Sequence, residues 1–329
     1  MAYTSISEIE KIYSAQEKHK DVAKHSTAQQ RKKLLVRLLA AIRSNEDAIQ
    51  KALYHDFHKS AMETAITEIF AVEFELKQFI KHIEKWVKGK SVSRSLLFPN
   101  VSASLHYEAK GQVLIITPWN YPFQLPLVHL IASIAAGNVT MLKLSEFSKN
   151  TNQVIKKILE GVFKEEHVAV IEGDETVADA FSRLPFDHLL FTGSQRVGRL
   201  VAKAAAENLT PVTLEMGGKS PLIVAPSGNV AQAAACAAHG KMINAGQVCV
   251  APDYAMVHES QLRRFISEVK RASHKQYPTI RNNPDVSCVI NSKHMARLRD
   301  LLDDARKKGA EIIEINPAHE VFEPAAKKF

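Results

Sequence analysis

Leu34, Leu35, Leu38, Leu39 and Ile42 recur three and four positions apart, which places them on one face of a 3.6-residue period and predicts a helix starting near Ser26. Ser26 and Gln29 stand at its start in the order of a capping box. A second stretch, Ile69, Val72, Leu76, Phe79, Ile80 and Ile83, carries the same period. Both helices are read as core-facing. Between Ser91 and Tyr107 the helical period disappears, and Val92, Leu96, Phe98, Val101 and Leu105 flank Pro99-Asn100. That arrangement predicts a projecting hairpin over about 91–107, a shape suited to reaching a partner subunit.

Downstream the pattern changes to short apolar runs separated by helical spacers. The runs are Val113 to Ile116, Val139 to Leu142, Val168 to Ile171, His188 to Phe191, Val212 to Leu214 and Leu222 to Val224. Continuous aliphatic runs predict strands buried on both faces, and helical spacers predict crossovers between parallel neighbours. The expected fold class is α/β, a doubly wound and mainly parallel sheet. Ligands of such sheets sit beyond the carboxyl ends of the strands. Two motifs fall there, Thr117-Pro-Trp-Asn-Tyr-Pro122 and Phe191-Thr-Gly-Ser194.

A chain of 329 residues, 46% hydrophobic and 24% charged, has room for about two domains. Its net charge of +8 is spread among interleaved acids, as in Asp303-Asp-Ala-Arg-Lys-Lys308, so no nucleic-acid partner is expected. The amino terminus lacks the basic start and apolar core of a signal peptide. The longest apolar stretch, Leu125 to Leu142, is interrupted by His129, Gly137 and Asn138, which reads as a helix, a turn and a strand rather than a membrane span. Three cysteines, Cys236, Cys249 and Cys288, are too few for a disulfide frame. The expectation is a cytoplasmic protein without membrane contact or metal site.

Cys249 follows Gly246, whose freedom permits a tight turn, and Pro252-Asp253 are expected to break regular structure just after it. The small-residue helix Ala231 to Ala238 can pack closely beneath it. Cys236 within that helix is read as packing, and Cys288 as strand core. Glu215 ends the run Val212 to Leu214 and precedes Gly217-Gly218, so its carboxylate is expected at a strand end. It is either a general base or an ion-pair partner of Lys219. Asn120 is either an amide donor to a developing oxyanion or a turn residue. Gly193, Ser194 and Gly198 form a strand-to-helix turn that can receive an anion on the helix amides, although the spacing is not G-x-G-x-x-G. Lys143, Ser145 and Glu146 close another strand, either holding ribose hydroxyls or facing water.

Pro118-Trp119-Asn120, Lys143-x-Ser145-Glu146, Phe191-Thr-Gly-Ser194, Leu214-Glu-Met-Gly-Gly-Lys-Ser-Pro221 and Gly246-Gln-Val-Cys249 together resemble the aldehyde dehydrogenase superfamily. Cys249 to Tyr254 resembles its class 3 branch, and Leu184 to Gly193 the bacterial coniferyl aldehyde dehydrogenases within it. The resemblance implies Cys249 as nucleophile, Asn120 with the Cys249 N–H as oxyanion donors, and Glu215 as the base that activates water. It implies cofactor contacts from Thr117, Pro118, Trp119, Lys143, Ser145, Glu146, Gly193, Ser194, Gly198, Glu215, Met216 and Gly217. Glu146 points to NAD, whereas Gln195-Arg196 departs from the family pattern and brings a cation that favours NADP. The substrate class implied is an aldehyde, aromatic, aliphatic or coniferyl-type. The resemblance also implies an NAD-binding domain over 1–216 and the first part of a catalytic domain over 217–329. The resemblance further implies full-length relatives that run on well past Phe329 and form homodimers, so the chain, ending in Pro324-Ala-Ala-Lys-Lys-Phe329, is expected to be carboxyl-terminally truncated, with apolar surface exposed. Two functions stay open: an aldehyde dehydrogenase, or an inactive remnant that binds dinucleotide or a related subunit. A third, acyl transfer to coenzyme A, is disfavoured by Glu215.

Overall fold

The computed structural model describes residues 3–93, 100–322 and 327–328. Its contacts divide the chain into two units, Met1–Ile49 with Ile66–Glu215 and Gln50–Ala65 with Met216–Phe329.

The two predicted amino-terminal helices form in the first unit as α2 (Ala28–Arg43), preceded by α1 (Ile6–Lys24), and α5 (Phe70–Trp86); between them α3 (Glu46–Phe57) passes into the second unit, α4 (Ala61–Thr64) belongs to that unit, and a π turn, Ala65–Ile69, leads into α5. Leu35, Leu38 and Ile42 of α2 and Val72, Leu76 and Ile83 of α5 are buried, as their spacing requires. The cap of α2 differs from the expected one by a residue. Thr27 and Gln30 form the capping box, while the Ser26 hydroxyl donates to the Ala23 carbonyl and accepts from Arg31 Nε. Arg43 donates Nε and Nη2 to the two oxygens of Glu73 at 2.8 and 3.0 Å, tying α2 to α5.

The predicted hairpin arms exist as β1 (Lys90–Val92) and β2 (Ala103–Leu105), antiparallel and exposed. Leu96, Phe98 and Pro99 lie outside the described residues, as do Pro324 to Ala326 and Phe329.

The sheet of this unit contains β3 (Gln112–Ile116), β4 (Val139–Lys143), β5 (Val168–Ile171), β6 (His188–Gly193) and β7 (Val212–Met216), in the order β5-β4-β3-β6-β7. The connecting helices are α6 (Gln124–Ala136), α7 (Lys149–Val162), α8 (Glu175–Ser182) and α9 (Gln195–Ala206). Pairing of β3 with β4 and β6, and of β4 with β5, is parallel, with Leu114 opposite Met141 on one side and Leu189 on the other. Those three side chains join Ile9, Ile12, Phe181, Phe186 and Phe191 in one core cluster. Because the chain first winds outward from β3 through β4 to β5 and then restarts at β6, the order reverses between β3 and β6. That reversal opens a crevice beyond their carboxyl ends.

The expectation of strands buried on both faces holds for β3 and β4 and fails for the last two runs. β7 is the sheet edge, with Val212, Thr213 and Glu215 exposed. β8 (Ser220–Val224) leaves this sheet altogether and pairs in parallel with β9 (Pro252–Val257) in the second unit.

In the second unit α10 (Val230–Met242) and α11 (Glu259–Gln276) pack on each other, and Val230, Ala234 and Phe265 meet Val224 in its core. α12 (Ser292–Lys307) follows. The opposite face of the β8/β9 pair presents Ile223, 67% exposed, beside its register partner Met256, 47% exposed. Three local expectations are corrected here. Pro252-Asp253 begin a strand, as Pro can at a first strand position. Cys236 points outward, since the packing face of α10 is Val230, Ala234 and Ala238. Cys288 is buried, but in irregular chain, with its N–H donated to the Phe57 carbonyl at 2.7 Å. Among the described residues no helix is long and apolar enough to cross a membrane.

Candidate active site and dinucleotide crevice

The crevice of the first unit is bordered by two loops. After β3 the chain leaves the sheet at Thr117, whose N–H and hydroxyl both donate to the Lys143 carbonyl, at 3.1 and 3.2 Å. Pro118, Trp119 and Asn120 follow, each half-buried, before Tyr121 and Phe123 sink into the core. The Trp119 carbonyl accepts from the Ser148 hydroxyl at 3.4 Å. After β6 the chain turns at Gly193 into Ser194, which caps α9 by accepting from Val197 N–H at 3.3 Å. Gly198 is buried within α9, while Ser194, Gln195 and Arg196 are exposed. The N-terminus of α9 therefore opens to solvent with its dipole positive.

At the end of β4 the Lys143 ammonium is buried and pairs with the Glu146 carboxylate at 3.0 Å. Ser145 is buried beside them, its carbonyl accepting from Asn152 Nδ2 at 2.8 Å. Glu146 also lines a hollow with Tyr3, Lys149, Asn152, Glu172 and Gly173. Glu215 sits exposed near the end of β7, and its carboxylate acts on His129 of α6. Burial holds the His129 imidazole below the usual histidine range, against the opposing pull of the Leu125 carbonyl and Glu215, so it is neutral at pH 7.

The second unit carries Met216, Gly217 and Cys249. Asn244, Ala245 and Gly246 take φ of 51°, 52° and 73°, three left-handed residues in succession. Asn244 and Ala245 are not glycine, so holding them there costs about 1 kcal/mol each. Neighbours secure the turn. Glu63 accepts the Asn244 N–H at 2.6 Å and the Ser287 hydroxyl at 3.1 Å. Gln247 donates to the Asn244 and Cys288 carbonyls at 2.9 and 3.0 Å and accepts from Ile290 N–H at 3.0 Å. Cys249 emerges from this turn half-buried. Gly218 runs alongside it, since a Cβ there would stand 3.0 Å from the Cys249 carbonyl oxygen. Lys219 pairs with Asp253 at 2.9 Å, which replaces the Glu215 ion pair weighed as an alternative. Glu63 and Gln247 escape a sequence reading because their partners are distant in the chain; Gly-Gln before the cysteine was the only local signal.

The first unit is a doubly wound α/β sheet with an open helix N-terminus and a Lys-Glu pair at its carboxyl edge, and the second unit presents a thiol on a glycine-ended turn. A match to the aldehyde dehydrogenase family spans residues 1–320, and the chain belongs to that family. It is 39% identical over 287 residues to the coniferyl aldehyde dehydrogenase of Pseudomonas sp. strain HR199, covering 87% of this chain and 59% of that one. It is 44% identical over 278 residues to the 4,4'-diaponeurosporen-aldehyde dehydrogenase of Staphylococcus aureus, covering 84% and 60%. Among solved structures, substrate-bound AldH of Staphylococcus aureus superposes with a TM-score of 0.88 at 39% identity, over 91% of this chain and 66% of that one. The chain spans about 60% of the length of these curated relatives.

Proposed function

We propose that the chain carries the cofactor-binding and nucleophile-bearing portions of an enzyme that oxidises an aldehyde to a carboxylic acid with NAD, NADP being the alternative. The first unit would hold the dinucleotide and the second would supply the nucleophile. The residues fit a dinucleotide. The open N-terminus of α9 suits a pyrophosphate, and the Lys143-Glu146 pair offers both a donor and an acceptor to a ribose diol. Trp119 flanks the same crevice. The Glu146 carboxylate opposes a 2′-phosphate, and exposed Arg196 is the group that would accommodate one.

When bound, the nicotinamide accepts a hydride. The chain's own groups do the rest. The Cys249 thiolate attacks the aldehyde carbon, and the carbonyl π pair moves to oxygen as an oxyanion, stabilised by the Asn120 amide and the Cys249 N–H. Loss of hydride leaves an acyl thioester on sulfur. Glu215 takes a proton from water, the hydroxide adds to the thioester carbon, and the C–S bond breaks to release the acid and the thiolate. The observation that carries this proposal is the left-handed turn Asn244-Ala245-Gly246, strained and anchored on both sides, from which Cys249 projects. Similarity to the Pseudomonas enzyme supports a coniferyl-type aromatic aldehyde as the first substrate class to examine.

With Glu215→Gln, acylation proceeds and deacylation slows. Acid quenching after mixing with NAD and an aromatic aldehyde is expected to leave an acyl mass adduct on the Cys249 peptide. A variant that turns over at the unsubstituted rate, or an adduct on Cys236 or Cys288, contradicts the assignment.

A further inference from the structure

The π turn Ala65–Ile69 points Glu68 inward, and its side chain is completely buried. The neighbouring Ile69 is buried beside it. A buried carboxylate must be hydrogen-bonded. Glu68 Oε2 accepts from Phe123 N–H at 3.2 Å and from Gln124 N–H at 2.8 Å. These are the first amides of α6, whose N-cap residue, Phe123, makes no side-chain cap of its own. A carboxylate 55 and 56 residues earlier in sequence therefore caps α6, placed where the helix dipole favours a negative charge.

The capped end begins three positions after Asn120. Upstream, Thr117 is fixed to the Lys143 carbonyl and the Trp119 carbonyl accepts from Ser148. Downstream, Phe123 is completely buried and held by Glu68. Asn120 thus spans a short bridge between two anchors, and Glu68 supplies the polar half of the second.

We propose that Glu68 is the positioning residue for Asn120. By capping α6 it fixes the loop that carries the Asn120 amide to the place where that amide meets the substrate oxygen. The inference rests on the aldehyde-oxidation proposal for its catalytic consequence, and on geometry alone for its structural one. Glu68→Gln offers one carbonyl oxygen in place of a carboxylate and puts an NH2 group where an acceptor stood.

The test is a double-mutant cycle on the full chain with Asn120→Ala, Glu68→Gln and both together, beside hydrogen–deuterium exchange of the peptide over 117–124. Asn120→Ala is expected to lower kcat about 10²- to 10³-fold. Glu68→Gln is expected to lower it about tenfold with KM for NAD unchanged, and to add almost nothing on top of Asn120→Ala. Glu68→Asp is included because a shorter carboxylate retains the charge, and it is expected to recover part of the loss. Effects that multiply would show Glu68 acting elsewhere and overturn the proposal. Exchange in Glu68→Gln is expected to accelerate over 117–124 while the β4 peptide stays protected. Unchanged exchange over 117–124 overturns the proposal even in a chain that oxidises no aldehyde, whereas faster exchange without wild-type turnover would leave Glu68 as the anchor and count against the enzymatic reading only.

Discussion

Individual side chains divide into those whose role follows from neighbours in sequence and those that depend on distant ones. Cys249, Glu215 and Asn120 could be singled out because each lies beside glycine, proline or aromatic residues that shape a local turn. Glu68 could not. Its partners are amides on the far side of the hairpin, and in the sequence it is one more acid in a helix whose π turn has no local signature. Cys236 shows the converse error: a cysteine among alanines reads as packing, yet α10 buries the face it does not occupy.

His167 gives a prediction of the same local kind. Burial and the neighbouring His19 ring, 5.9 Å away between centroids, lower its pKa to about 4, outweighing the Asn138 backbone bond and Glu166. The unfolded chain then binds more protons than the folded one between about 6.5 and 4, so this stabilisation is complete above pH 6.5 and is lost as pH falls towards 4. The span is worth up to about 3 kcal/mol. Urea unfolding at pH 7.5 and 4.5 is expected to show a smaller loss in His167→Gln than in the unsubstituted chain. Equal losses would remove His167 as the source.

For helices and strands, apolar period predicted where elements form better than how they end. The aliphatic runs of β3 and β4 became central strands because neighbours cover both faces. Val212 to Leu214 and Leu222 to Val224 have the same composition, but one lies at a sheet edge and the other in a two-stranded pair, so part of each is exposed. Composition cannot distinguish these positions, since burial is set by what packs alongside. The α2 cap was displaced by one residue because Ser26-Thr27 and Gln29-Gln30 offer two overlapping boxes. Thr27 takes the role once Ser26 is engaged by Ala23 and Arg31. Thr27→Ala is expected to cost about 1 kcal/mol in denaturant unfolding. Gln30→Ala should lose part of the same stabilisation, and Gln29→Ala almost none. A larger loss from Gln29→Ala than from Gln30→Ala would contradict the observed cap.

The whole chain combines a doubly wound unit, where reversal of strand order creates a crevice beyond the strand ends, with a second unit that presents a strained thiol turn. The α/β class and both crevice loops were legible from the sequence, because strand-end motifs announce themselves by glycine, proline and aromatic residues. The second unit was less so. Gln50–Ala65 joins it from far upstream, and Glu63, which accepts from the thiol turn, and Ser287, which donates to Glu63, come from separate stretches of chain. The proposal that an aldehyde is oxidised on Cys249 has a direct assay. Absorbance at 340 nm follows NADH formation by the chain with aromatic and aliphatic aldehydes, beside Cys249→Ala verified to be folded and to bind NAD. Turnover is expected from the unsubstituted chain and none above background from the variant; equal NADH formation by both would remove Cys249 from the reaction.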